Sequence, residues 1–125
     1  MFVAKINRKI YECINDRLAT EDVIITDEQL DHIARHHPEA YDYVLIELQN
    51  TIISPDYILK DKKHRDTGLV IKELSSEKDK HLFVVLRVCT NTQGGRFSNS
   101  IISGWKINNK RLARYLRNDA LLYKK

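Results

Sequence analysis

The hydrophobic pattern of this chain changes period at Ser54-Pro55-Asp56. Before that point apolar residues recur every three or four positions, as along one face of a helix; after it they alternate or gather in short β-branched runs. The proline enforces the break, because the residue before it is pushed out of the helical region and the ring cannot continue the helical ladder. A chain that switches in this way reads as helices followed by a meander of strands. That is the α+β arrangement, with helices stacked on one face of an antiparallel sheet.

Upstream of the switch, Thr26-Asp27-Glu28-Gln29 has the form of a capping box, so a helix is expected from there to about His37. Pro38 suits the first turn of a second helix, with Glu39 at the favourable end of its dipole. Tyr41, Val44, Leu45, Leu48 and Ile52 form its buried stripe. The opening segment is ambiguous: Ile6, Ile10, Tyr11 and Ile14 fit a helical face, whereas Val3, Lys5 and Asn7 could extend as a short strand. A helix from about Lys9 is expected there, and Val23-Ile24-Ile25 is a short β-branched run. Downstream, residues 57–59, 69–74, 82–90 and 98–107 are β-rich runs separated by polar turns, a pattern of antiparallel hairpins. A last helix over about 109–118 turns Leu112, Tyr115 and Leu116 inward. The expected architecture is N-terminal helices packed on a roughly four-stranded antiparallel sheet, with a C-terminal helix.

The chain has 125 residues without repeat, low-complexity stretch or linker, which fits a single domain over 1–125. The longest purely apolar run, residues 82–86, is far short of the ~20 residues a membrane helix needs. Met1 to Lys5 carries no signal-peptide stretch, so the expected compartment is the cytoplasm. Cys13 and Cys89 could form at most one bridge, and in that compartment they read as two free thiols. The formal charge of +4 conceals a polarity: residues 21–56 carry −8 and residues 106–125 carry +6. An anionic ligand should approach the later half.

The densest titratable cluster is His32-Ile33-Ala34-Arg35-His36-His37. At ~100° per residue His32 and His36 lie together, away from the stripe of Leu30, Ile33 and Ala34, while His37 points along it. Three readings compete for the pair. Their spacing is that of a zinc-binding helix, but the glutamate which that motif places after the first histidine is here Ile33, and no third ligand is marked. They are also compatible with an ordinary solvated surface. As an acid and a base they suit metal-free RNA cleavage, since imidazole titrates near neutrality.

Other candidates come from strand periodicity. In the run from Leu82 to Thr90, Arg87 shares a face with Phe83, Val85 and Cys89, and an arginine among such neighbours is either half of an ion pair or a phosphate clamp. Lys72, in phase with Val70 and Leu74, poses the same question. In the last strand Asn99, Ile101, Ser103, Trp105 and Ile107 fall on one side, with Trp105 able to stack on a base or to fill the core. Lys110, Arg114 and Arg117 recur at helical spacing, either a solvated face or a stripe that tracks RNA.

The segments His32-Ile33-Ala34-Arg35-His36, Ser54-Pro55-Asp56-Tyr57-Ile58-Leu59, Leu69-Val70-Ile71-Lys72 and Asn99-Ser100-Ile101-Ile102-Ser103-Gly104-Trp105 follow one another in an order and spacing of their own. They resemble the serial motifs of a phage-borne nuclease group in the barnase, EndoU, colicin and RelE-like RNase superfamily, the BECR fold, over roughly residues 23–123. The resemblance implies two N-terminal helices before a four-stranded antiparallel sheet, and metal-independent RNA cleavage by a toxin or phage effector that needs no cofactor. It implies His32 and His36 as the histidines, Lys72 as the strand lysine and Ser103 as the hydroxyl of the last strand. That family usually has threonine there; serine keeps the hydroxyl and loses the methyl that fixes its rotamer.

Together these readings predict an endoribonuclease. One of His32 and His36 removes the proton of a ribose 2′-hydroxyl and the other protonates the departing 5′-oxygen, while Lys72 and Arg87 stabilise the phosphorane and Ser103 orients it. The product is a 2′,3′-cyclic phosphate. Arg35, Asn99, Trp105, Lys106, Lys110, Arg114 and Arg117 are the expected substrate contacts. RNA is the expected partner, with room for a cognate immunity or antitoxin protein. The rival is a non-catalytic RNA- or protein-binding module of the same fold.

Overall fold

The computed structural model describes residues 1–35, 41–75, 77–90 and 98–125, with 41–43 as backbone. In chain order the elements are β1 (Phe2–Lys5), α1 (Arg8–Tyr11), β2 (Asp22–Ile24), α2 (Asp27–Ala34), α3 (Tyr41–Ile53), β3 (Tyr57–Lys60), β4 (Thr67–Glu73), β5 (Lys80–Arg87), β6 (Asn99–Asn108), α4 (Asn109–Asn118) and β7 (Leu121–Lys124). The strands form one sheet in the order β1-β2-β6-β5-β4-β3-β7. The class remains α+β, but the expected four-stranded antiparallel sheet carrying N-terminal helices is wrong. Among the described residues the sheet has seven strands and is mixed, because β2 runs parallel to β6. Strands β3 to β6 are the four expected runs. The three additions, β1, β2 and β7, have three or four residues each, too few to display a period of two.

Helices also lie on both faces rather than one. Leu30 and Ile33 of α2 and Val44, Leu48 and Ile52 of α3 form one core with Val70, Leu82, Val84 and Leu86. Leu112 of α4 forms a second with Leu59, Leu69, Ile71, Phe83 and Ile107. Burial on both sides is why β4 and β5 read as nearly continuous apolar runs instead of clean alternation.

Local chemistry sets the helix ends. The Thr26 hydroxyl accepts from Gln29 N at 3.1 Å, as the capping sequence predicts. At the other end of the helical half, Tyr11 Oη donates to the Ile52 carbonyl at 2.7 Å and Lys72 Nζ to the Ser54 carbonyl at 2.7 Å. Both donors satisfy carbonyls that the end of α3 leaves open, and the ammonium sits where the helix dipole is negative. Burial pushes the Tyr11 hydroxyl well above the usual phenol range, so it stays a donor.

Strand β6 departs from the expected alternation. Val85 pairs with Ser103 and Leu86 with Ile101, so Ile102 is an extra residue on the β6 side, a bulge. The bulge reverses the faces. Ile101 enters the core under α2 and α3, whereas Trp105 and Ile107 join the α4 side. Asn99, Ile101, Ser103, Trp105 and Ile107 therefore do not share one side. Two residues beyond the bulge, a Cβ placed on Gly104 would lie 3.3 Å from Ile33 Cδ1 and 3.3 Å from the Phe83 carbonyl oxygen, so α2 rests on a bare backbone.

Gly104→Val should lower the unfolding free energy by about 1–3 kcal/mol in urea titration, the usual cost of overpacking. Tyr11→Phe and Lys72→Met should each cost about 1–2 kcal/mol, because each strips a partner from a carbonyl at the end of α3. An unchanged midpoint for both would mean that water caps the helix equally well.

Candidate active site

Helix α4 begins with the Asn108 side chain accepting from Arg111 N at 2.9 Å, and it turns Leu112, Tyr115 and Leu116 onto the sheet. It covers only part of that face. Beside it a concavity of about 670 Å³ is left open over the start of β4, the end of β5 and the bulged stretch of β6. Its floor holds Thr67, Val85, Arg87 and Ser103, and Trp105 and Tyr115 stand at one side. Phe83 links those two rings, with centroids 4.8 Å from Trp105 and 4.6 Å from Tyr115. Trp105 Nε1 is buried with no hydrogen-bond partner among the described residues.

Arg87 is half-buried on this floor, opposite Thr67 on β4 and Ser100 on β6. Among the described residues its side chain makes no hydrogen bond or ion pair. With no carboxylate of its own among the described residues, this guanidinium has its donors available for an external anion.

A second concavity, of about 330 Å³, lies between α2 and β6. Glu28, Gln29, His32 and Arg35 line it on the helix side, and Ile102 and Ser103 on the strand side. Ile102 and Ser103 belong to both concavities, so the two adjoin across the bulge. The structure thus gathers His32, Arg35, Arg87, Ser103 and Trp105 around one point of β6.

Other expected residues are elsewhere. Lys72 is on the face covered by α2 and α3, where it caps α3 and lies 3.9 Å from Asp56 Oδ1. Asn99 is fully buried and internally committed: its Oδ1 accepts from Cys89 N at 2.8 Å, and its Nδ2 donates to the Thr20 and Asp22 carbonyls at 3.0 Å each. Lys106 pairs with Glu77 at 2.6 Å. Lys110, Arg114 and Arg117 are exposed along α4. His36 and His37 lie outside the described residues, as does the side chain of Tyr41. Cys13 and Cys89 form no disulfide. Among the described residues no three His, Cys, Asp or Glu side chains gather so as to hold a metal ion.

A further part of the rim carries side chains that the strand pattern does not flag. Asp61, Lys63, His64 and Arg65, from the turn between β3 and β4, all line the larger concavity. His64 Nδ1 lies 3.0 Å from Asp61 Oδ2, and Lys63 N donates to Asp61 Oδ1 at 2.9 Å. Burial works against the charged form of Asp61, but the Lys63 amide and the His64 ring outweigh it and hold the carboxyl below its usual range. The available signal was local: a histidine three residues after an aspartate, in a turn of four successive basic or imidazole side chains.

Comparison with curated proteins and with solved structures gives no match. Residues 2–124, nearly the whole chain, do match one family throughout. A match over this length makes the chain a member of the phage-Barnase-EndoU-ColicinE5/D-RelE like nuclease2 family.

Proposed function

We propose that this nuclease is a metal-independent endoribonuclease, of the toxin or phage-effector kind, that cleaves RNA through its own 2′-hydroxyl. The observation that carries the reading is Arg87, unpaired on the cleft floor with Ser103 on the same floor and His32 across the bulge. In-line attack of a 2′-oxygen on phosphorus builds negative charge on the equatorial oxygens. Arg87 and Arg35 are the groups to stabilise it, Ser103 holds a phosphate oxygen, and His32 exchanges a proton with the reacting oxygens. A base next to the scissile phosphate would rest against Trp105. Every role falls to a side chain of the chain itself, so the chemistry asks for no added ion.

RNA should be cut at an undiminished rate in EDTA, with a 2′,3′-cyclic phosphate at the new end, and fully 2′-O-methylated RNA should survive. Arg87→Gln and His32→Ala should each lower kcat/KM by ~10²-fold or more. Cleavage that requires added Mg²⁺ or Zn²⁺, or equal cutting of methylated RNA, would overturn the mechanism. Tight RNA binding without any cleavage would favour the binding-module reading instead.

Binding should depend on α4. Replacing Lys110, Arg114 and Arg117 by glutamine removes up to three phosphate contacts, so the plot of log affinity against log salt should become shallower by about 2 units, at ~0.7 per single-strand contact. An unaltered slope would return α4 to the status of a solvated surface.

A further inference from the structure

We infer that His64, oriented by Asp61 on the turn between β3 and β4, is the general base of the cleft, the group that takes the proton from the attacking ribose hydroxyl. This inference rests on the ribonuclease reading above.

The turn holds its residues firmly. Asp61 N donates to the Thr67 carbonyl at 3.3 Å, Val88 N to the Asp66 carbonyl at 2.8 Å, and Asn15 Nδ2 to Asp66 Oδ1 at 2.8 Å. Lys62 Nζ donates to the Asn118 carbonyl and ties the turn to the end of α4. Within it the two partners are unequally placed: the Asp61 side chain is 13% exposed and that of His64 is 68% exposed. A shielded carboxylate beneath an imidazole that stands in the open is a poor way to gain stability, because an exposed pair returns little for the cost of burying the acid. It is a good way to aim a ring.

The hydrogen bond also settles which nitrogen is available. An ionised carboxylate only accepts, so Nδ1 must carry the hydrogen, and Nε2 is left as the nitrogen able to take a proton. His64 lines the same concavity as Arg87 and Ser103, whereas His32 reaches the bulge from the α2 side. A phosphate held by Arg87 and Ser103 would have one imidazole lining its own concavity and a second lining the adjoining one, the acid–base pair that transesterification uses.

The step balances on these groups. Nε2 of His64 takes the 2′-hydroxyl proton, and the 2′-oxygen forms its bond to phosphorus. The bond from phosphorus to the 5′-oxygen breaks with its electron pair on oxygen, and protonated His32 supplies the proton. His64 ends protonated and His32 neutral, and exchange with water resets both.

The test compares wild type, His64→Asn, Asp61→Asn and His32→Ala on two substrates: an RNA oligonucleotide, and a ribonucleoside 3′-(4-nitrophenyl phosphate), whose leaving group departs without a proton. Affinity is measured in parallel with 2′-O-methylated RNA. On RNA, His64→Asn should lose ~10²-fold or more in kcat and Asp61→Asn at least ~10-fold, with affinity changed less than about twofold in each. On the activated ester His64→Asn should remain equally impaired, while His32→Ala recovers most of its loss. Free imidazole should restore part of the His64→Asn rate. A His64→Asn enzyme with normal kcat, one impaired only in affinity, or one rescued by the activated ester would refute the base and leave the nuclease reading standing. A wild-type protein that releases no cyclic phosphate would refute that reading and the base with it.

Discussion

The single extra residue in β6 is what allows one strand to serve two different purposes. If β6 alternated regularly, Ile101 and Ser103 would point the same way, and either the core under α2 would lack Ile101 or the cleft would lack Ser103. Ile102 resolves this by inserting between their partners Leu86 and Val85. On the helix side the strand then presents Ile101 and the bare backbone of Gly104, against which Ile33 of α2 packs closely. On the other side it presents Ser103 and Trp105. Because α2 is seated against β6 so near the bulge, His32 and Arg35 border the strand residues that form the cleft floor. The site follows from a packing solution rather than from a loop added to the fold.

Charge distribution along the sequence argues against a phosphate site on α2, which lies in the segment of net −8. The structure removes much of that objection, because several of these acids are engaged locally. Glu21 pairs with Arg8 at 3.3 Å and Asp22 with Lys5 at 3.8 Å. The Arg8 guanidinium holds the Glu21 carboxyl below its usual range. Asp56 accepts from Glu73 N at 2.8 Å beside Lys72. Around the bulge, Arg35, Lys63, Arg65 and Arg87 face Glu28 and Asp61, so cations outnumber acids where the phosphate would sit. Lys72 takes no part in this convergence, having been spent on the end of α3.

Elements whose signals are local were legible in the sequence. The Thr26 cap, the four long strands and the bounds and inward face of α4 all follow from neighbouring residues. What escaped is non-local. β7 pairs with β3, and β2 with β6, across about half the chain length or more; β7 is too short to announce itself, and the β-branched run at Val23 to Ile25 does not reveal its partner. The bulge depends on the partner strand, since nothing in Ser98 to Ile107 marks Ile102 as extra. The role of Asn99 depends on backbone groups nearly eighty positions away. Among the candidate catalytic residues, Arg87 was singled out for a physical reason, a charge in an apolar phase, His32 by its titratable cluster and the motif order, and Ser103 by the motif order; these three line the two concavities that adjoin at the bulge. Lys72 matched the motif but its strand face turns it to the helices, and His64 sat in a turn that periodicity treats as filler.

The central claim is that nucleic acid binds on the open half of the α4 face, across the bulge. An amide and indole NMR titration with a short 2′-O-methylated RNA tests it directly, because Trp105 Nε1, Arg87 and Ser103 report from the cleft while Lys72 and Leu48 report from the face covered by α2 and α3. The account predicts saturable shifts concentrated at Trp105, Arg87, Ser103 and the 61–65 turn. Shifts confined to the surface around Lys72, with the cleft signals unmoved, would contradict it.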